Sequence, residues 1–286
     1  MKKIIYFFEF VIVYTLFILF RIIGYKISSN LGFIIGKFFG PIFRSKSLII
    51  ENLKKAKISS KINNYQIANN VLGNYGRIFA EYPHLKNFRN NKLNNFIKID
   101  GNEYLEKIKK ENGRTVFISG HFNNFELMAM QIEKAGIDLA AIYRPLNNVF
   151  LNKTMEKIRI DHICKKQIKK GRSGTRQLIK CLKKRTSVAL MIDQRVREGS
   201  KINFFGNLAT TTTIPAQLIK KYKCQLVPIY IKRYNNFYFK MYVSKPIIVN
   251  SKKSIEEITL FLNNILEKMI IKNLDQWIWT HDRWKK

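Results

Sequence analysis

The sequence predicts an α/β fold: a mixed, largely parallel central sheet flanked by helices, with an N-terminal membrane-anchoring helix. Three observations carry that expectation. Short apolar runs bounded by glycine or polar residues alternate with stretches of helical periodicity, the pattern of strands joined by crossover helices. The most apolar of these runs, Val188 to Ile192, lacks the in-out alternation of a half-solvated strand and reads as a strand buried on both faces. The first 25 residues are apolar enough to belong to a different environment from the rest of the chain.

From Ile4 to Phe20 only Glu9 and Thr15 interrupt an apolar and aromatic run, and Lys2-Lys3, Arg21 and Lys26 flank it. That run is slightly shorter than the roughly 20 residues that cross a bilayer, and Ile22, Ile23 and Tyr25 extend it. Glu9 argues against a deep, lipid-facing position, and no small-residue cleavage site follows. Residues 1–25 therefore read as an anchor helix and residues 26–286 as a single folded domain. The glycine-interrupted segment 31–43 reads as interfacial.

Downstream, 47–56 and 63–82 have the spacing of amphipathic helices, with Ile67, Val71, Leu72, Tyr75 and Ile78 on one face of the second and Pro83 stopping it. A strand near 96–99, a helix near 102–110 and a core strand 115–119 follow. Then come a helix 125–135 ended by Gly136, a strand 138–143, helices 149–161 and 174–184, and the strand 187–192. Residues 211–222 read as a helix with Pro215 near its start, 225–232 and 237–243 as paired strands, and 254–272 as the last helix.

The chain has 286 residues, 46% of them hydrophobic and 13% aromatic, which excludes a disordered protein. Lys and Arg number 52 against 19 Asp and Glu, giving a formal charge of +33 and a pI near 10.1. Such a balance points to anionic partners, although a sequence this crowded with Lys, Asn and Ile spends part of its lysine on ordinary solvated surface. Cys164, Cys181 and Cys224 are odd in number and show no metal-ligand spacing, so neither a disulfide framework nor a metal site is expected, and the compartment reads as reducing. No nucleic-acid-binding pattern accompanies the charge, and nucleic acid is not an expected partner.

The chemistry concentrates in Gly120-His121-Phe122-Asn123-Asn124-Phe125-Glu126, directly after the core strand 115–119. On one continuous helix, residues five apart point about 140° away from each other and do not meet. With His121 in the turn and Glu126 in the first helical turn they can, and Asn123 or Asn124 would cap that helix. This arrangement predicts His121 as a general base and Glu126 as the carboxylate that orients it, favoured in its ionised form by the helix N-terminus. Further polar clusters fall where an α/β sheet presents its site: Tyr143-Arg144-Pro145, Arg159, and Asp193-Gln194-Arg195 leading to Asn203-Phe204-Phe205-Gly206 and Thr210 to Thr213. Each has a bland alternative, a turn-capping Asp193 or an Arg159 paired with Asp161 or Glu156.

Taken together and in order, His121 with Glu126, Tyr143-Arg144-Pro145, Asp193-Gln194-Arg195, Phe204-Phe205-Gly206 with the threonines, and the tail Trp277 to Lys285 resemble the lauroyl/myristoyl acyltransferases of lipid A biosynthesis, with their HxxxxD/E signature. The resemblance covers nearly the whole chain. The sequence departs from it at Asp282, where the family usually carries arginine, and it lacks the Phe-Pro-Glu-Gly block of the glycerolipid acyltransferases, whose fold the resemblance implies.

The resemblance implies transfer of a fatty acyl group from an acyl carrier protein thioester to a hydroxyl of a phosphorylated glycolipid, a lipid A precursor. It places the reaction at the cytoplasmic face of the inner membrane, with no cofactor and no metal. His121 would deprotonate the hydroxyl, and Arg159 or a backbone N–H after His121 would stabilise the oxyanion. Arg144, Asp193, Gln194 and Arg195 stand as further substrate-binding or oxyanion candidates, and Phe122, Phe125, Leu127 and Met130 as candidate lining for the acyl chain or as plain core. Other membrane glycolipid or phospholipid acceptors fit the same motifs, and a basic membrane-binding protein without catalysis is the reading from a different class.

Overall fold

The computed structural model describes residues 2–285. Two long apolar helices open the chain, α1 (Lys2–Ile23) and α2 (Tyr25–Phe43), separated only by Gly24, whose φ of 82° turns the chain between them. They are followed by α3 (Lys46–Lys55) and α4 (Asn64–Glu81), each with a side-chain cap: Ser45 accepts from the Leu48 N–H and Asn63 from the Gln66 N–H. The interfacial segment expected at 31–43 is thus the greater part of α2. Its inner face is small because α2 lies tightly on α4: a Cβ at Gly32 would stand 2.7 Å from the Cβ of Ala80, and one at Gly36 would stand 2.8 Å from the Gly76 nitrogen. Small residues let the two backbones touch, and they leave the large side chains of α2 on the outside. Phe38, Ile42 and Phe43 are each more than 70% exposed.

The sheet has seven strands, β1 (Ile97–Asp100), β2 (Thr115–Ser119), β3 (Leu139–Tyr143), β4 (Lys166–Lys169), β5 (Ser187–Met191), β8 (Gln225–Tyr234) and β9 (Tyr238–Val243), in the order β1-β9-β8-β2-β5-β3-β4. All neighbours pair in parallel except β8 and β9, which form a hairpin around Asn235 and Asn236, both at positive φ. The sheet is mixed and largely parallel, flanked by helices, as the alternation of elements predicts. The helices are α5 (Leu85–Arg89), α6 (Asn102–Glu111), α7 (Glu126–Lys134), α8 (Val149–Ile158), α9 (Arg172–Lys183), α10 (Ile214–Tyr222) and α11 (Ile255–Ile271). Central β2 is buried at every position, with Val116, Phe117 and Ile118 in the main core beside Val188 and Leu190 of β5 and Val227 and Ile229 of β8.

Three differences from the sequence reading matter for the site. Residues 200–211 form a separate two-stranded hairpin, β6 (Ser200–Phe204) and β7 (Asn207–Thr211), so the helix expected from 211 starts only at Ile214. Phe205 (φ 51°) and Gly206 (φ 72°) make its two-residue turn, which demands positive φ at both positions. Residues 166–169, to which the sequence reading assigned no element, form edge strand β4. The helix expected over 149–161 gives way at Arg159 to a π-helical turn, Arg159–Ile163, which re-aims that side chain.

Candidate active site

The register of two parallel core strands builds the centre of the site. Ser119 of β2 lies opposite Met191 of β5, so the residues two positions beyond each strand end, His121 and Asp193, face each other across the C-terminal edge of the sheet. His121 Nδ1 is 2.8 Å from Asp193 Oδ1, the His121 backbone N–H donates to Oδ2 at 2.7 Å, and Trp277 Nε1 donates to Oδ2 at 2.9 Å. Asp193 is fully buried, and these donors replace the water it has lost. Gly120 allows the approach, since a Cβ there would stand 3.2 Å from Asp193 Oδ2.

Because the carboxylate is the acceptor, Nδ1 carries a proton, and in the neutral ring the unprotonated nitrogen is Nε2. Burial pulls the His121 pKa down, but the charge and hydrogen bond of Asp193 outweigh it and hold the pKa above its ordinary value. Burial likewise pushes Asp193 up, and the imidazole opposite it wins, holding the carboxyl below its usual range. Among the described residues Nε2 has no protein partner. His121 lines a small cleft of about 30 Å³ whose other walls are Val71, Asn74, Tyr75 and Ile78 of α4, Asn123 and Phe125 of the turn, and Asp275 to Ile278 of the tail. Phe125 packs edge-on against the imidazole, 4.7 Å between ring centres.

Glu126 stands beside this pair without binding it. Its Oε1 accepts from Arg159 Nε at 2.9 Å and from the Tyr82 hydroxyl, and lies 2.8 Å from Arg159 Nη2 as an ion pair; Nη2 donates to the Tyr82 oxygen at 3.2 Å. Glu126 makes no hydrogen bond to the imidazole; the carboxylate that does is Asp193. The reason is directional. Glu126 begins α7 and projects toward α8, whereas Asp193 ends the strand paired to the one that His121 ends. Neither Asn123 nor Asn124 caps α7 as expected. Asn123 adopts a left-handed turn (φ 43°), and the Asn124 amide donates to Glu81 at 3.1 Å. Arg159 pairs with neither Asp161, which binds Lys157, nor Glu156, which binds Lys169. Burial works against its charge, but Glu126 and Tyr82 prevail and raise its pKa above normal, so it stays cationic.

The turn that carries His121 rests on polar residues the sequence reading did not single out. Arg233, at the end of β8, forms two hydrogen bonds to Glu81, at the end of α4, with Nη1 to Oε1 at 2.7 Å and Nη2 to Oε2 at 3.0 Å. Its Nε donates to Asn123 Oδ1 at 3.2 Å. Gln276 bonds both the Asn123 side chain and the Arg233 backbone, and the backbones of Phe122 and Trp277 pair. The C-terminal tail thus clamps the motif from outside while the Glu81–Arg233 pair holds it from below. No local spacing signals a pair 152 residues apart.

The remaining expected residues divide. His281 Nε2 accepts the Arg195 N–H at 2.9 Å, and burial lowers its pKa and keeps it neutral. Arg144 follows β3 and is exposed, and Gln194 lies in the half-exposed loop after Asp193. Phe122, Leu127 and Met130 are fully buried core, and only Phe125 of the four proposed lining residues reaches the cleft. The tail departure at Asp282 is accompanied by a buried Arg283, which donates to the Thr210 carbonyl at 2.9 Å and the Thr211 hydroxyl at 2.8 Å, fastening the β6–β7 hairpin. Burial lowers its pKa to about 10. The three cysteines are free.

A model of the bacterial lipid A biosynthesis acyltransferases matches residues 1–286. The chain belongs to that family. No curated protein sequence matches it. Membership makes the protein an acyltransferase. α1 is long and apolar enough to cross a membrane, in keeping with an acyltransferase of membrane lipids.

Proposed function

We propose that this acyltransferase moves a fatty acyl chain from an acyl carrier protein thioester to a hydroxyl of a lipid A precursor by direct attack, with His121 as general base. The observation that carries the proposal is the His121–Asp193 pair, which assigns the proton of the neutral ring to Nδ1 and makes Nε2 the basic nitrogen of a histidine that lines the cleft. The acceptor hydroxyl approaches Nε2 and passes its proton to it as the oxygen attacks the thioester carbonyl. Asp193 keeps Nδ1 protonated and stabilises the imidazolium that forms, without taking the proton itself.

The tetrahedral oxyanion needs a donor. The N–H groups of Phe122, Asn123 and Phe125 are already committed to Gly120, Gln276 and Asn123 carbonyls, and we assign the role to the Arg159 guanidinium, which stays cationic beside Glu126. Collapse of that oxyanion expels the carrier thiolate, which the His121 imidazolium protonates, so no acyl-enzyme forms. The apolar wall of the cleft, Val71, Ile78 and Phe125, suits an acyl chain.

The exposed apolar faces of α1 and α2 seat the domain in a lipid leaflet, with Lys2, Lys3, Lys26 and Lys37 placed for anionic headgroups. The leaflet we assign is the cytoplasmic one of the inner membrane. The charge of +33 draws in the phosphorylated acceptor and an acidic carrier protein alike.

The test is acyl transfer by the purified protein in detergent, followed by mass spectrometry of the acceptor. Wild type adds one acyl mass to the lipid A precursor, and His121→Ala loses ~10²–10⁴-fold in rate. Transfer by His121→Ala near the wild-type rate sinks the general base. Acylation of a different glycolipid alone moves the acceptor and leaves the chemistry standing.

A further inference from the structure

The apolar N-terminal helix makes contacts an anchor does not need. Most of α1 is exposed, but its side toward the domain is fastened at three heights. Near its start, Asn148, the N-cap of α8, donates to Glu9 Oε2 at 2.9 Å and to the Tyr6 carbonyl at 2.8 Å, while Phe7 and Phe10 pack on Phe150. Near its end, the Phe20 carbonyl meets His84 Nε2 at 3.1 Å and accepts the Ser28 hydroxyl at 2.5 Å. Between them Phe17, 8% exposed, lies parallel to the Tyr82 ring, 6.3 Å between centres and 6° between planes, and packs on Phe79 at 5.2 Å. Glu9, which read as an obstacle to a lipid-facing helix, is thereby the polar end of a docking contact.

Two of those fastenings lead to Arg159. Tyr82 beneath Phe17 donates to Glu126 and accepts from Arg159, and burial followed by the Glu126 charge raises its pKa, so it stays a phenol. α8, which leads into the turn bearing Arg159, has no fully buried residue of its own and rests on α1 at its N-cap. One helix thus packs on both supports of the guanidinium: the tyrosine ring whose hydroxyl meets its tip and the helix that leads into its backbone. A guanidinium aimed at an oxyanion must be held to within about 0.5 Å, because misplacement forfeits the stabilisation it exists to give.

We propose that α1 is a working part of the active site, with Phe17 and Tyr82 as positioning residues that hold the Glu126–Arg159 pair in its catalytic orientation, so that acyl transfer depends on α1 being docked even where no membrane delivery is required. The proposal rests on the acyl-transfer reading given above. Neither residue touches substrate; each acts through Arg159.

The experiment uses the full chain in detergent micelles, which removes membrane delivery as a variable, and measures kcat, KM for the acyl donor and the pH profile. Phe17→Ala and Tyr82→Phe are expected to lower kcat by ~10- to 100-fold, less than outright removal of an oxyanion donor. Donor KM and the acidic limb of the pH profile should hold near wild type, because His121 and Asp193 are not disturbed. Phe17→Leu should recover part of the loss, and Ile12→Ala, on the exposed face of the same helix, should match wild type. In an Arg159→Lys background Phe17→Ala should cost little further, since the two act through one group.

Loss of thermal stability in Phe17→Ala with kcat unchanged overturns the proposal, as does an equal fall in Ile12→Ala. Should Phe17→Ala not fold, wild-type kcat in both Phe17→Leu and Tyr82→Phe overturns it. A wild-type protein that transfers no acyl group sinks the acyl-transfer reading; an active wild type with indifferent Phe17 and Tyr82 variants sinks only this inference.

Discussion

Two carboxylates lie close to His121, and they do different things. Asp193 is fully buried at the end of a strand and receives three hydrogen bonds, two of them from His121. Glu126 is buried at the start of a helix, and its Oε1 receives Arg159 and Tyr82 instead. The acid near in sequence serves the arginine, and the acid 72 residues away serves the histidine. A short spacing brings elements together; which atoms then meet is decided by strand register and the direction a helix starts.

The largest effect that sharpens this contrast is expected at Asp193. In Asp193→Asn the amide can present its N–H₂ to Nδ1, stabilising the wrong tautomer, and it offers no charge to the imidazolium, so kcat should fall on the order of 10³–10⁴-fold. Glu126→Gln should fall much less, because the amide oxygen still accepts from Arg159. Steady-state kinetics on the two variants side by side decides the matter: a Glu126→Gln loss as great as that of Asp193→Asn would return the orienter role to Glu126.

Next in size is Arg159. Arg159→Ala removes a charged donor from a water-poor site and should cost roughly 10²–10³-fold in kcat. Arg159→Lys should recover little, since an ammonium cannot reproduce the paired Nε and Nη2 contacts to Glu126. Full activity in Arg159→Lys would mean that charge alone suffices and that the Glu126 contact does not aim it.

A third test leaves chemistry and asks what holds the turn between the two acids. Glu81→Gln breaks a fully buried pair with Arg233, leaving a guanidinium short of its counter-charge, and should cost about 3–5 kcal/mol in unfolding free energy. Denaturant titration measures it. A cost under about 1 kcal/mol would show that the Asn123 and Gln276 contacts hold the turn without the ion pair.

How much of this was legible in the sequence follows from the range of the interactions. Core strands such as 115–119 and 187–191 announce themselves by composition, and the helices by period, because both signals are local. The β6–β7 hairpin was not legible: Asn203, Asn207 and the threonines blur its pattern, and the Phe205-Gly206 turn uses a phenylalanine at positive φ. Lysine-rich β4 was hidden as edge strands often are, by the charges that keep such an edge from pairing further. The His121–Asp193 contact had a signal that went unused. Each residue stands two places beyond an apolar strand, and parallel neighbours in register would bring them face to face. The Glu81–Arg233 pair had none, since neither residue has a local pattern that distinguishes it from surface charge.

The smallest effect is a shift in pH dependence, and it separates the acids without abolishing activity. A general base works only when neutral, so kcat/KM should fall as pH drops through the His121 pKa, which Asp193 holds above the ordinary 6.5. In Asp193→Asn burial is no longer outweighed, and the acidic limb of the residual activity should move to lower pH. In Glu126→Gln the move should be in the same direction and smaller, since Glu126 raises His121 through charge alone and Arg159 opposes it. Folding stability has the opposite sign on the histidine: a raised pKa contributes most below 6.5 and is lost as pH rises through the folded value. The lowered Asp193 pKa contributes above 3.8 and is lost as pH falls through its folded value. The pair should therefore stabilise the fold most between those two ordinary values, in a range where the enzyme works poorly. The protein gains activity by deprotonating the group whose protonation favours its fold. A stability profile that is flat in wild type across pH 5–8 and unchanged in Asp193→Asn would show that the two side chains do not form the charged pair on which this account of the base depends.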